Sequence, residues 1–292
     1  MLKLTVTGRD TTAVRHTLKR LQELAADKPA DVQVIQTPEP DPGSCHLVVG
    51  VRAEHERPTS LENAGVDVWA PETGGGSDGV RELWQRRIVP FATNLTQRKR
   101  APRRQRVVLA DPDPSWAQQA ARLMDRLTLA MGVRAHRIDH IGSTSVPGMF
   151  AKDIIDLQVV VDDLQTAVAC AAASHRAGFV HVVGPFYGID RHGTHHDEQV
   201  AVDADPGRSA NVHFHPVSSP IWREMLLLRD WLRANQSHRD EYAALKRTVA
   251  EQVDHDVNAY SLDKMPWISQ ALARAENWAR EGPRRDISSN TA

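Results

Sequence analysis

The residues whose types and spacing best suit phosphate binding lie near the middle of the chain, at positions 140–148 (His-Ile-Gly-Ser-Thr-Ser-Val-Pro-Gly). The glycine at 142 has no Cβ, so its backbone can come close to phosphate oxygens. Three hydroxyls follow it and, with the N–H groups of a turn, can donate to those oxygens. Asp156 begins an apolar run, with twelve residues between it and Ser143. Because a carboxylate there can hold the magnesium ion that bridges phosphates, the spacing predicts a triphosphate site.

Two further side chains near this segment can contact a phosphate. His140 precedes Gly142 by two residues and shares its strand face, so it can hydrogen-bond a phosphate or fix the turn. Lys152 precedes Asp156 by four residues and can neutralise a phosphate or pair with that carboxylate. Both belong to the predicted site.

The order of a Gly-Ser turn, a spacer and a strand with an acid resembles the signature of polymerase-β-like nucleotidyltransferases. Over about 107–280 the chain resembles the GrpB family, a group with the nucleotidyltransferase fold. The likeness is greatest to the form fused to the C-terminus of actinobacterial dephospho-CoA kinase. The matching blocks are Asp113-Pro114-Ser115-Trp116, 140–148, 152–156, Asn211-Val212-His213, 228–233, 241–246 and 260–264.

The resemblance implies an α+β nucleotidyltransferase-fold domain that ends in helices. It also implies an enzyme that uses Mg²⁺ and a nucleoside triphosphate, with ATP the first candidate. The reaction would transfer a nucleotidyl group to a small-molecule acceptor, or activate a carboxylate as an adenylate. Asp156 and Lys152 would be catalytic, with His213 as general base. The nucleotide would be bound by His140, Gly142, Ser143, Thr144, Ser145, Arg229, Lys246 and Lys264.

The predicted metal site departs from the family pattern. Polymerase-β-like enzymes carry two carboxylates on alternate residues of one strand, because two magnesium ions need several oxygen ligands. Here the partner of Asp156 is Gln158, whose amide oxygen can ligate a metal but brings no charge. We therefore expect one metal at Asp156 and Gln158, or none beyond the ion that arrives with the nucleotide. The missing acid supports an alternative function, that of a non-catalytic accessory or binding protein.

The histidines between 181 and 215 suggest a second hypothesis. Strand alternation puts His213 and His215 on one face, and Asp156 can lie on an adjacent strand. The three side chains could form a His-His-Asp metal site or supply a general base. Solvent-facing histidines, or a His213 that only hydrogen-bonds within the pocket, would explain the same pattern.

Residues 1–97 resemble a shortened, degenerate kinase of the dephospho-CoA kinase type, with a P-loop-kinase-like α/β fold. A phosphate-binding loop needs G-x-x-x-x-G-K-[ST], in which the lysine contacts the β- and γ-phosphates. After Gly8 the chain has Arg9 and Asp10 and lacks the second glycine and the lysine. We therefore expect no P-loop kinase activity from this domain.

Composition and segment boundaries complete the prediction. A basic linker at 98–106 has no aromatic residue to stack on bases, so we expect a solvated linker and not a nucleic-acid-binding arm. The nucleotidyltransferase-fold domain follows at 107–280, and a disordered tail at 281–292.

The net charge is −1 and no long apolar run is present, which predicts no membrane or nucleic-acid partner and a cytoplasmic location. The oligomeric state stays open.

Hydrophobic periodicity predicts the elements. In the first domain they are strands at 2–7, 31–36, 46–51 and 66–69 and helices at 11–26 and 78–95. In the second they are a helix at 115–131, strands within 133–141 and at 154–161, a helix at 164–177, an extended stretch from 179, a hairpin of 199–202 with 211–216, and helices at 220–234, 238–253 and 263–280.

Overall fold

The N-terminal apolar segments form a parallel sheet. The structure, a computed structural model, describes residues 1–8, 11–27, 32–37, 43–51, 66–70, 79–103, 106–252 and 256–281. The sheet contains β1 (Leu2–Thr7), β2 (Val32–Gln36), β3 (Leu47–Gly50) and β4 (Val68–Trp69), in the order β2-β1-β3-β4 with all neighbours parallel. Arg9 and Asp10, and the predicted tail beyond 281, lie outside the described residues.

Helices cover this sheet. Helix α1 (Thr11–Asp27) follows β1, and α2 (Gly79–Leu83) continues through a π-helical turn (Trp84–Ile88) into α3 (Val89–Gln97). Leu4, Leu21, Trp84 and Phe91 are among the buried side chains that form one apolar core between sheet and helices. The α/β prediction for this part of the chain is confirmed.

The second sheet has five strands in the order β6-β8-β11-β10-β9. Its members are β6 (Arg137–Ile141), β8 (Ile155–Val161), β9 (Phe179–Ile189), β10 (His195–Asp203) and β11 (Ala210–Pro216); a short β5 (Leu109–Ala110) pairs separately with β7 (Ala151–Lys152). Strands β8 and β11 are parallel, and the other neighbours in the five-stranded sheet are antiparallel. The predicted hairpin is confirmed, because Val202 pairs with Asn211 across the turn between β10 and β11.

One face of this sheet is apolar and the other carries the polar residues. Leu157, Val159, Val212 and Phe214 pack against α4 (Trp116–Met131) and α5 (Leu164–Ala173). Because side chains alternate along a strand, the residues between them point to the opposite face. That face therefore presents Asp156, Gln158, Asn211, His213 and His215.

Four helices follow the sheet: α6 (Ile221–Ala234), α7 (Gln236–Gln252), α8 (Val257–Asp263) and α9 (Met265–Glu281). Trp231 of α6, Tyr242 of α7 and Leu272 of α9 share an apolar cluster with Val146 and Met149, which follow the Gly-Ser turn. This packing brings α7 beside the predicted phosphate site, and Tyr260 of α8 packs in turn against Val249 of α7. None of the helices in the described ranges has the length and apolar character needed to cross a bilayer.

Buried ion pairs join the two sheets. Arg87, before α3, donates from Nε and Nη2 to both carboxylate oxygens of Asp205 in the β10–β11 turn, at 2.9 and 2.7 Å. Arg122 of α4 pairs with Asp67, next to β4. Both guanidinium groups are largely buried, with side-chain exposures of 14% and 3%. The N-terminal unit is therefore bound to the hairpin that carries the polar face.

We predict that Arg87→Ala lowers the free energy of unfolding by about 3–5 kcal/mol, because it leaves the Asp205 carboxylate buried without its partner. Arg86→Ala is the matched control, since Arg86 pairs with Glu82 at exposures of 80% and 50%. Such an exposed pair contributes about 0–1 kcal/mol. Urea denaturation of both variants measures the difference, and similar losses would show that the Arg87–Asp205 pair does not couple the two parts.

Candidate functional site

The Gly-Ser turn connects β6 to a short 3₁₀ turn at Ser143–Ser145. Gly142 adopts φ 69° and ψ −172°, a region that is essentially restricted to glycine. A Cβ at this position would lie 2.8 Å from Oδ2 of Asp156, so the missing side chain allows the carboxylate to approach the turn. The predicted association of Gly142 with Asp156 is thus present in the fold.

Asp156 is held by a chain of hydrogen bonds. Asn211, its neighbour on β11, donates from Nδ2 to Oδ1 of Asp156 at 2.7 Å. Oδ1 of Asn211 accepts from Nη1 of Arg103 at 2.7 Å, and Arg103 also pairs with the buried Asp203. Arg103 belongs to the predicted solvated linker, but its side chain is only 13% exposed. The structure therefore corrects that expectation at Arg103, which supports Asp156 through Asn211, while residues 98–100 are exposed as expected.

A cavity of about 250 Å³ opens beside this carboxylate. Residues from the Gly-Ser turn, β7, β8, β11, α7 and α8 contribute to it, together with the residue after α8. The lining includes six of the predicted site residues, namely Ser143, Thr144, Lys152, Asp156, Lys246 and Lys264. Asn211, Tyr260 and Ser261 also line it and were not assigned to the site from the sequence. Tyr260 and Ser261 fall in the block 260–264 that resembles the family, and this match was the sequence signal that could have assigned them to the site.

Three lysines and one carboxylate line this cavity. Lys246 is 1% exposed and donates to the carbonyl oxygen of Phe150. Burial, and then the nearby Lys264 and Arg247, lower the pKa of Lys246 to about 7. Burial and the charge of Lys152 lower the pKa of Lys264 to about 8, although Asp156 opposes the shift. The site is therefore rich in cationic groups whose charge an anion would stabilise.

Aromatic rings support the same lysines. The Nζ atoms of Lys264 and Lys152 lie 4.2 and 5.4 Å from the centre of the Tyr260 ring, and Nζ of Lys246 lies 4.8 Å from that of Tyr242. Burial raises the pKa of Tyr242 to about 12, while its hydrogen bond with Ser143 opposes the rise. Both rings thus place a neutral, electron-rich face against ammonium groups.

Gln158 does not join Asp156 in this cavity. Its side chain is fully buried, and Nε2 donates to Oδ2 of Asp139 at 3.1 Å and to the carbonyl oxygen of Trp222 at 3.2 Å. Among the described residues that line the cavity, Asp156 is the one carboxylate. The donor set thus suits a single Mg²⁺ that also binds phosphate oxygens, and it does not fit a two-metal site.

Three other predicted nucleotide-binding residues support the turn from outside the cavity. Nε2 of His140 hydrogen-bonds the hydroxyl of Thr144 at 2.9 Å, and burial lowers the pKa of His140 to about 4. Arg229 donates from Nη1 to the carbonyl oxygen of His140 at 3.0 Å and pairs with Asp230. The hydroxyl of Ser145 donates to the carbonyl oxygen of Gly142. These three side chains position the turn.

His213, the predicted general base, lies next to Glu198 on β10. Its Nδ1 is 3.3 Å from both carboxylate oxygens of Glu198. Although burial acts in the opposite direction, the charge and hydrogen bond of Glu198 raise the pKa of His213 to about 9. His213 does not line the cavity beside Asp156, and its Nδ1 is directed at Glu198, so this geometry does not support the predicted role. His215 faces the same carboxylate. The carboxylate that joins the two histidines is therefore that of Glu198, and not that of Asp156 as the His-His-Asp hypothesis expected.

A second, larger cavity adjoins the first. Its volume is about 900 Å³, and it shares Lys152, Ile154 and Asn211 with the smaller cavity. Arg100 and Arg106 from the basic segment also line it. A molecule in the larger cavity can therefore reach the Asp156 region past Lys152.

Comparisons with known proteins agree with the predicted resemblance. The family model described as "GrpB protein" matches residues 106–274. Dephospho-CoA kinase of Mycolicibacterium paratuberculosis is 37% identical over 235 residues, which are 73% of this chain and 57% of that protein. A UPF0157 protein of Halalkalibacterium halodurans is 31% identical over 175 residues, 60% of this chain and 85% of that protein.

The crystal structure of the conserved protein GrpB from Enterococcus faecalis is 22% identical and covers 58% of this chain and 98% of its own, with a TM-score of 0.49. The match to the Mycolicibacterium paratuberculosis kinase covers 57% of that protein, so the chain spans a little over half of its length.

An unfavourable backbone conformation alone costs about 1–3 kcal/mol. We predict that Gly142→Ala lowers the free energy of unfolding by more than this. The added Cβ would also crowd Asp156. Gly148→Ala is the matched control, because Gly148 has φ 76° but its added Cβ would have no heavy atom of the described residues within 4 Å. Chemical denaturation compares the two, and equal losses would contradict a role for the close approach to Asp156.

Proposed function

This chain belongs to the GrpB family, and on that basis we propose that its cavity binds the phosphates of a nucleoside triphosphate for nucleotidyl transfer to a small acceptor. The observation that carries the proposal is that Lys152, Lys246 and Lys264 line one cavity at a Gly-Ser turn, where Asp156 is the one carboxylate among the described lining residues. With all three lysines charged and Asp156 ionised, the cavity is cationic. A polyphosphate chain supplies the missing negative charge and accepts hydrogen bonds from the turn.

The sizes of the two cavities support this assignment. The smaller one, at about 250 Å³, suits a phosphate chain better than a whole nucleotide, since sites for complete small ligands usually measure ~300–1,000 Å³. The larger one, at about 900 Å³, has room for the nucleoside and the acceptor. Lys152 borders both, so we assign it to the phosphate that is transferred.

Asp156 is the residue that would hold Mg²⁺. A bound Mg²⁺ would neutralise charge on the phosphates and polarise the phosphorus–oxygen bonds. The chain's own contribution is to orient Asp156 through Asn211 and to balance the leaving pyrophosphate with Lys246 and Lys264.

An anionic acceptor fits the site better than a neutral alcohol. His213 is held against Glu198 and lines neither cavity, so it is not placed to act as the base, whereas a carboxylate acceptor has no proton to lose. Its oxygen would attack the α-phosphorus, the bond from that phosphorus to the bridging oxygen would break, and pyrophosphate would leave. The lining of the larger cavity includes four cationic side chains and two carboxylates, and this positive excess favours a negatively charged acceptor; they are Arg100, Arg103, Arg106 and Lys152 with Asp153 and Asp256.

A second candidate function is phosphate-ligand binding without turnover. The hydrogen bonds of Gln158 favour it. Gln158 stands where the family pattern has the second acid, and its side chain binds Asp139 and the carbonyl oxygen of Trp222 and does not join Asp156. In that case the domain would act as an accessory or binding module. Asp156 would then have no catalytic role.

Calorimetric titration of the full chain with ATP·Mg²⁺ tests the proposal. We expect Lys264→Met to abolish measurable binding, because it removes a charge from the cavity wall. Lys19→Met is the matched control and should bind as the wild type does, since the Lys19 side chain is 79% exposed on α1. Absence of binding by ATP, CTP, GTP and UTP, or equal binding by Lys264→Met, would contradict the nucleotide site.

Turnover separates the two candidate functions. We expect Asp156→Asn to retain most nucleotide binding but to lose pyrophosphate release by ~10²-fold or more, measured with a panel of small carboxylates. Nucleotide binding without pyrophosphate release by the wild type would instead assign the chain to the binding function.

The affinity for triphosphate should fall as the pH rises from about 6 to about 9. A lysine is charged below its pKa, and here the pKa values of about 7 for Lys246 and about 8 for Lys264 place the loss of charge within this range. An ordinary lysine stays charged to about pH 10. Above its pKa, each required lysine lowers affinity by up to ~10-fold per pH unit. A flat profile for Kd across this range would contradict the role of the two ammonium groups.

A further inference from the structure

A second group of ligating side chains lies on the same sheet face, two residues along β11 from Asn211. It consists of Glu198 of β10 with His213 and His215 of β11. Nδ1 of His213 is 3.3 Å from both oxygens of Glu198, and Nδ1 of His215 is 3.4 Å from Oε2. The two imidazole rings are nearly parallel, at 5°, with their centres 6.1 Å apart. Both histidines thus direct the same ring nitrogen toward one carboxylate.

The spacing between the Glu198 carboxylate and each histidine matches that of neighbouring ligands in a tetrahedral metal centre. Zinc binds imidazole nitrogen and carboxylate oxygen at about 2.0–2.2 Å, which places neighbouring ligand atoms about 3.3–3.5 Å apart in a tetrahedron. The nitrogen–oxygen separations in the cluster, 3.3 and 3.4 Å, fall at this value. One ligand atom from each of the three residues lies within 4.8 Å of the others.

Two buried polar atoms at this place also lack partners. Nδ1 of His215 has no hydrogen-bond partner within the described part of the chain, although His215 is only 2% exposed. Oε1 of Gln158, the residue paired with His213 across β8 and β11, is likewise buried and unsatisfied among those residues. Burying such atoms without partners costs free energy, so their presence calls for a further group.

We propose that Glu198, His213 and His215 form a binding site for a divalent transition metal, with Zn²⁺ as the first candidate. The site is separate from the Mg²⁺ expected at Asp156, because imidazole favours zinc and related metals whereas Mg²⁺ prefers oxygen ligands. Three protein ligands leave a fourth position open, as in catalytic zinc centres. His213 is the most exposed of the three, with 30% of its side chain accessible, and provides the route from solvent.

The proposal competes with a simpler arrangement in which Glu198 forms an ion pair with a protonated His213 and no metal is bound. That arrangement satisfies Glu198 and His213 but leaves Nδ1 of His215 without a hydrogen bond among the described residues, 3.4 Å from Oε2 of Glu198. A metal satisfies all three side chains together. The two arrangements differ in whether the protein binds a stoichiometric metal.

Titration of tag-free, chelator-treated full chain with Zn²⁺ tests the site, with Mg²⁺ as the comparison ion. We expect one high-affinity Zn²⁺ per chain. Glu198→Gln and His213→Gln should each weaken Zn²⁺ binding by at least ~10-fold. Removing a group that only supports a metal ligand already costs about that much, so removing a ligand should cost no less. Circular dichroism checks that both variants fold. Absence of stoichiometric Zn²⁺ binding, or wild-type affinity in both variants, would overturn the proposal.

His196→Gln is the matched control. His196 lies on the same strand as Glu198, is 24% exposed and also pairs with a carboxylate, that of Asp190 at 2.9 Å. It should bind Zn²⁺ as the wild type does; a loss equal to that of His213→Gln would overturn the assignment to the cluster. Wild-type protein loaded with Co²⁺ gives a readout that needs no variant. Intense visible absorption would support a four-coordinate site, and the weak spectrum of six-coordinate Co²⁺ would contradict it.

Discussion

The parallel pairing of β8 with β11 is the constraint on which both candidate sites depend. It places Asp156 beside Asn211 and Gln158 beside His213 on the face of the sheet opposite the apolar core. Because side chains alternate with a period of two, a slip of one residue would present Leu157 to that face instead. The apolar partners of α4 and α5 fix the register, so burial of the core also determines the polar row.

The polar row is further restrained from the N-terminal part of the chain. Arg87 binds the turn between β10 and β11 through Asp205, and Arg103 joins Asp203 to Asn211. A largely buried arginine that loses its carboxylate leaves an uncompensated charge, so these contacts resist displacement of the hairpin. The N-terminal unit thus holds the turn between β10 and β11 through Arg87, and the linker holds Asn211, and through it Asp156, by Arg103. That role does not require phosphate binding at Gly8.

Local patterns predicted much of the fold but only part of the site. Periodicity located the helices, and the Gly-Ser turn and Asp156 were found because their chemistry lies within a short segment. The contribution of Arg103 could not be predicted, since it depends on a contact with Asn211 across 108 positions. Glu198 was missed for a different reason. Extending the predicted hairpin by one step beyond the pair Gln199–Phe214 brings Glu198 opposite His215, so the signal lay in the strand register.

The charge of the small cavity is the strongest physical argument that it holds a ligand. A buried ammonium group is costly unless it is paired, and the cavity that Lys152, Lys246 and Lys264 line has a single carboxylate among its described lining residues. Ring faces and the carbonyl of Phe150 stabilise these ammonium groups only partly, which is why the pKa values of Lys246 and Lys264 fall to about 7 and about 8. A fold maintained for packing alone would gain stability from apolar residues at these positions. Strongly shifted groups around a cleft are characteristic of functional sites, and an anion is the ligand that restores their charge.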